Sequence, residues 1–365
     1  MNSIKHSPFN RAEKEQEREH LNFLIYAPGI FKRTFKEGFD NVARIYRNET
    51  GHDLKIYGPM EWPNHGNDKY EDIWKTSNID CFPDVVAAMG FGDFVRKEFV
   101  EKFVKKGCFK SGWDRPVSSV FEKAGFIDPR GWYTAYSVVP FVMLVDRKRL
   151  GDLQMPRQWK DLLTPQFRNK VIISQSGNGA ANVPLLYIYK EMGEEGITRL
   201  ARNIKAIWPA ARIAREAGSD STEGAAVYIL SWFFANSCVK TKSVSVVWPE
   251  DGAFTSPLYI LVKESKAKEM KAIVQYITSF ELGAKSAQFC LPVLHPGVDN
   301  SLPEGATFKW LGWDYIQSHD TAELREYSHA LFMFKWKDTK HYGEEYKNIG
   351  CDFGKISRIR RNPNE

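Results

Sequence analysis

The run Ser174-Gln175-Ser176-Gly177-Asn178-Gly179 is the segment of this sequence best suited to holding an anion. Hydrophobic patterning places it between an apolar strand, Val171-Ile172-Ile173, and a helix from about Ala181 to Met192. Backbone N–H groups at a helix start, with two nearby hydroxyls, suit a phosphate or a carboxylate. The same residue types also build an N-cap and a tight turn. The segment is not a nucleotide phosphate loop, because the lysine at the required spacing is missing. A second polar run, Gly218-Ser219-Asp220-Ser221-Thr222-Glu223, reads as the cap of a following helix over residues 222–235.

Other chemistry-bearing residues are scattered. His65 and His295 fall in loops, and no histidine pair has close metal-ligand spacing, so no metal site is expected. Glu61, Glu250 and Asp251 are loop carboxylates that could meet a ligand amine or simply face water. The five cysteines are odd in number and never spaced as CxxC, which predicts reduced, mostly buried thiols. No G-x-S-x-G, H-E-x-x-H, dinucleotide glycine fingerprint or kinase set occurs. No catalytic residue and no cofactor are therefore assigned, and the chain reads as a binding protein rather than an enzyme.

The elements that would position these residues alternate. A strand at Leu21–Tyr26 is followed by a helix over 30–48, with apolar residues at Phe31, Phe35, Phe39, Val42 and Ile45, or Tyr46. Leu54–Tyr57 is a second strand, 70–77 a short helix, and Asp84–Ala88 a third strand. That order argues for an α/β fold with parallel strands. Tyr133–Val145 reads as two strand pieces, because Pro140 interrupts it. Trp159–Leu163 is a helical turn. Further helices are expected at Ile197–Ile207, 222–235 and Ala267–Phe280, and strands at Ser243–Val247 and Pro257–Val262. In open α/β sheets, ligands sit beyond the carboxyl ends of strands. That rule selects Tyr26, Pro28 and Gly29, then Met60, Glu61 and Trp62, then Gly90 and Phe91, and finally Ser174, Ser176, Gly177 and Asn178.

Composition bounds the rest. The 365 residues suggest about two domains. Hydrophobic residues make up 43% and charged residues 26%, the balance of a globular protein. The net charge of +6 is spread among acidic neighbours and partly terminal, so no nucleic-acid stripe is implied. A mildly positive field would favour an anionic ligand. No stretch reaches the roughly 18 apolar residues of a membrane span. Met1–His20 is charged and lacks a signal peptide's apolar core. Taken as written, the chain is cytoplasmic; it is periplasmic or extracellular if a leader was removed. It is expected to be a monomer.

Four segments resemble the class-two periplasmic solute-binding proteins of ABC importers, in the branch that includes ferric-ion, 2-aminoethylphosphonate, hexose-phosphate and thiamine binders. They are Leu24–Phe39, Phe82-Pro83-Asp84-Val85-Val86, the run Trp159-Lys160-Asp161-Leu162-Leu163-Thr164-Pro165-Gln166-Phe167-Arg168-Asn169-Lys170-Val171, and Trp248-Pro249-Glu250-Asp251-Gly252. The resemblance covers about residues 21–300. It implies a two-lobed fold of type 2, each lobe a mixed sheet flanked by helices, joined by a hinge that closes on a ligand in the interlobe cleft. Lobe 1 would be 21–135 and 252–345, and lobe 2 136–251, between a charged arm (1–20) and a basic tail (346–365). An ABC permease would be the partner. Ferric-ion binders of this branch carry two adjacent tyrosines where this chain has Trp232-Phe233-Phe234, and rings without a phenol oxygen do not ligate Fe(III). The expected ligand is therefore a small organic anion bearing phosphate, phosphonate or carboxylate, with Trp232 and Glu250 added to the candidate contacts. An iron-binding protein and an enzyme on the same fold are the alternatives.

Overall fold

In the computed structural model, the residues described are 18–26, 38–58, 68–113, 115–177 and 179–339. The chain forms two compact units. The first runs through Val139 and adds Ser256–Leu302 and Trp310–Thr321; the second is Pro140–Thr255, Pro303–Lys309 and the chain from Ala322.

The first unit is built on short, buried apolar strands. β1 (Phe23–Ile25) pairs in parallel with β2 (Ile56–Tyr57) on one side and β3 (Val85–Met89) on the other. Such strands, covered on both faces, read as unbroken apolar runs. The later part of β10 (Ala253–Val262) pairs antiparallel with β3, Leu258 opposite Met89. Helix α1 (Phe39–Thr50) buries Phe39, Val42 and Tyr46 on one stripe and ends at Gly51, whose φ of +75° suits glycine. That stripe meets α5 (Lys271–Ile277) in a core with Phe23, Val85, Ile260 and Ile273. Asp84, at the entry to β3, is 1% exposed. It accepts from Asn22 Nδ2 at 2.9 Å and lies 3.1 Å from His20 Nε2 and 3.6 Å from Lys263 Nζ. Burial works to raise its pKa, but the bonds from His20 and Asn22 bring it below the usual carboxylate value.

The second unit holds the later part of β4 (Thr134–Asp146), which pairs antiparallel with β8 (Val227–Ser231) and β9 (Val244–Val247). β5 (Val171–Ser176) runs parallel to β8 and to β7 (Ile204–Trp208), and turns back as β6 (Gly179–Ala180). Helix α2 (Asn182–Asn203) kinks at Gly193. Helices α3 (Ala210–Glu216), α4 (Trp232–Asn236) and all but the first residue of α8 (Thr321–Thr339) also belong here. Two of the resembling segments meet in this unit. The Trp159 ring stacks on Phe254 at 4.0 Å, its Nε1 donates to the Gly252 carbonyl at 2.9 Å, and Asp251 accepts from the Trp159 backbone at 3.2 Å. Lys309, on β11 (Phe308–Lys309), bonds Asp251 at 2.8 Å and Glu191 at 2.9 Å.

Several expected elements are different. Residues 222–235 are not one helix: Val227–Ser231 is β8, and only Trp232–Asn236 is helical. An apolar run buried on both sides has no periodicity to separate strand from helix. The Gly218–Glu223 run therefore caps nothing. Its carbonyls receive cations instead: Ser219 from Arg149 at 3.1 Å, Thr222 from Lys205 at 3.1 Å. The helix expected at 197–207 is the end of α2, closing at Asn203 before strand β7. The helix expected over 267–280 is confined to α5, and α6 (Phe280–Gln288) follows as a separate helix capped by Ser279. β4 is one strand, not two. Pro140 is tolerated between the bridge of Ser137 to Val293 and the ladder with β8, which starts at Phe141.

Candidate ligand-binding site

In the first unit, the carboxyl ends of β1, β2 and β3 present Tyr26, Tyr57 and the Gly90 loop. Tyr26 Oη donates to Asp68 Oδ2 at 2.8 Å, and Asp68 Oδ1 accepts from the Tyr70 backbone at 2.9 Å. Burial and the Asp68 charge push the Tyr26 phenol well above its ordinary pKa, and the same two causes raise that of Tyr57. Both phenols are thus neutral donors at physiological pH. Gly90 has φ +74°, and a Cβ there would lie 3.2 Å from Ser256 Oγ, so the turn needs glycine. Phe91 is 1% exposed and packs on Trp310, which stacks in turn on Phe126. Phe91 therefore supports the loop from beneath rather than lining its surface. Asp93 follows at once, paired with Arg96 at 2.8 Å. Pro28, Gly29, Met60, Glu61 and Trp62 lie outside the described residues.

In the second unit, the Ser174–Gly179 run does not lead straight into a helix. It forms a tight hairpin, with Ser176 opposite Gly179 and Gln175 opposite Ala180. Gly177 takes φ +56° to make the turn, as two-residue hairpins require; Asn178 lies outside the described residues. Helix α2 starts only at Asn182, and its N-cap residue is Ala181, with no side-chain cap. The Ala181 N–H donates to the Ser174 carbonyl at 2.7 Å. Ser176 is therefore not a cap. It and Gly177 are exposed, whereas Ser174 is 4% exposed.

Trp232 and Glu250 stand apart from this hairpin in role. Trp232 is 5% exposed and meets the Trp248 ring edge-on, a core packing. Glu250 is on the surface, ion-paired with Arg157 at 3.1 Å beside a hollow of about 210 Å³. A larger groove of about 870 Å³, walled by α1 and α5 of the first unit, contains none of the candidate residues. Among the described residues, no group of three or more His, Cys, Asp or Glu side chains is gathered to hold a metal ion.

Sequence reasoning missed Tyr57, Asp68, Asp93 and His329. Tyr57 ends a strand, so the strand-end rule could have reached it. Asp93 sits two residues past Phe91 and could also have been found. Nothing local marks Asp68 or His329: each acquires its place through a contact distant in sequence. His329, on α8, lies against Gly179; a Cβ on that glycine would fall 2.3 Å from its Nε2.

The strand order and connections define a class: a two-lobed periplasmic-binding-protein fold. The solved structures it resembles include apo ferric ion-binding protein A of Pasteurella haemolytica, at 15% identity and TM-score 0.56, over 90% of this chain and 100% of that one. An ABC transporter structure from Clostridium perfringens matches at 17% identity and TM-score 0.54, over 87% and 99%. The fructose-6-phosphate-bound periplasmic binding protein AfuA of Actinobacillus pleuropneumoniae matches at 14% identity and TM-score 0.50, over 88% and 98%. The sequence profile of the bacterial extracellular solute-binding proteins matches residues 80–319. The chain belongs to that family of ABC-transporter solute-binding components. A search of curated proteins finds no match.

Proposed function

We propose that this solute-binding protein carries a small organic anion, one bearing phosphate, phosphonate or carboxylate, and releases it unchanged to an ABC permease. The observation that supports this reading is the β5–β6 hairpin. Its exposed tip offers a serine hydroxyl and glycine backbone, with no acidic side chain in the run from Ser174 to Ala180 to repel an anion. The segment Trp232-Phe233-Phe234 adds no phenol oxygen for iron. The contacts proposed are Ser174, Ser176 and Gly177 of the second unit. Membership of a family of extracellular binding proteins supports a working location outside the cytoplasmic membrane; among the described residues no helix is long and apolar enough to cross one.

Thermal-shift screening tests the proposal. A ligand that binds only the folded protein raises its melting temperature by mass action. Phosphate esters, phosphonates or carboxylates should do so. Stabilisation by ferric ion with no response to any oxyanion would overturn the anion reading, and turnover of the bound compound would overturn the reading as a carrier.

A further inference from the structure

The hairpin that carries the anion reading contains no positive charge of its own, yet helix α8 brings an imidazole to it. Ser176 and Gly179 stand directly opposite in the ladder. Residues directly opposite project to the same face, with Cβ positions about 5 Å apart. The side-chain position of Gly179 is filled by His329: a Cβ there would lie 2.3 Å from Nε2 and 2.7 Å from Cε1. Ser176 therefore points to the face on which the His329 ring lies. Ser174, two residues back along the strand, shares that face. No hydrogen bond of the ring is found among the described residues. Glycine at position 179 is what admits the ring so close to the strand.

We propose, resting on the anion reading above, that His329 is the ionic half of the site: Ser176 Oγ and His329 Nε2 donate together to one oxyanion, and the imidazole takes up a proton as the anion binds. Burial, and then the Arg325 guanidinium one turn earlier on α8, hold the free imidazole below its ordinary pKa, so it is neutral near pH 7. The hairpin contributes Ser, Gln, Gly and Ala and Met333 on α8 is uncharged, while the charged α8 residues one turn before the ring, Arg325 and Glu326, pair with each other at 3.8 Å. A bound oxyanion reverses this balance and raises the imidazole pKa. Affinity then rises as pH falls from the bound-state pKa to the free-state pKa, and is flat outside that window.

Sulfate is the probe, because its charge is constant across this range. Calorimetry of the full chain in two buffers of different ionisation enthalpy should register proton uptake on binding. Sulfate should bind about tenfold or more tightly at the acid end of the window, the effect of a charge-assisted bond. His329→Gln should flatten that dependence. Gly179→Ala, which keeps the histidine but displaces its ring, should weaken sulfate binding similarly. Sulfate binding without proton uptake, or His329→Gln with the wild-type pH profile, overturns the role of His329 and leaves the anion reading standing. A protein that binds neither sulfate, phosphate nor any carboxylate overturns both. The two-buffer comparison needs no variant, so a variant that fails to fold leaves the outcome decided.

Discussion

Ser176→Ala separates the two roles that a serine at a strand end can play. If Ser176 capped α2, its removal would cost the apo protein about 0.5–2 kcal/mol. The structure assigns the cap position to Ala181 instead and leaves Ser176 exposed on the hairpin. An exposed serine without such a role changes stability by no more than about 0.5 kcal/mol when replaced. The apo melting temperature should therefore barely move. Binding should respond: one lost hydroxyl contact costs about 1 kcal/mol, a fivefold loss of affinity, and about 1.5–3 kcal/mol if the partner oxygen is charged. Differential scanning calorimetry of the apo protein and titration calorimetry with a hit from the anion screen give the two numbers on one sample. A clearly lowered melting temperature with unchanged affinity would refute the assignment and return Ser176 to a structural role.

Asp84→Asn should destabilise the fold by about 3–5 kcal/mol, because it leaves the Lys263 ammonium, 6% exposed, without its countercharge; urea denaturation measures this. The Asp84 pKa is lowered by folding, so its stabilisation is present above the unfolded carboxyl pKa and fades as pH falls below about 4, through the folded value. Wild type should lose stability more steeply over that interval than Asp84→Asn. Trp159→Ala removes the stack on Phe254 and the donor to the Gly252 carbonyl, for a loss of about 3–5 kcal/mol in denaturant melts. Gly90→Ala places a Cβ at φ +74° beside Ser256, and should cost about 1–2 kcal/mol of thermal stability. A Gly90 variant as stable as wild type would show that the turn relaxes freely.

The strands of the first unit could be read from the sequence because each is a short apolar run bounded by breakers. Phe23–Ile25 and Val85–Met89 lie where composition puts them. The motifs at Trp159 and Asp251 also carried the fold, and the reason is physical: the Trp159 backbone donates to the Asp251 carboxylate and its indole to the Gly252 carbonyl. Where burial was complete on both faces, as at Val227–Ser231, local pattern gave no distinction between strand and helix.

The candidate site was legible only as loops. Sequence by itself determined that the stretch from Ser174 to Gly179 was small, polar and without charge, since those are properties of residue types. Tertiary structure alone decided that this stretch is a hairpin rather than a helix start, because that follows from the pairing of Ser176 with Gly179. It alone placed Phe91 and Trp232 in packed cores rather than on a binding surface. It alone brought His329 to Gly179 from 150 residues away. No local propensity encodes that contact: it exists because α8 packs within the second unit and because a residue without a Cβ leaves room for the ring.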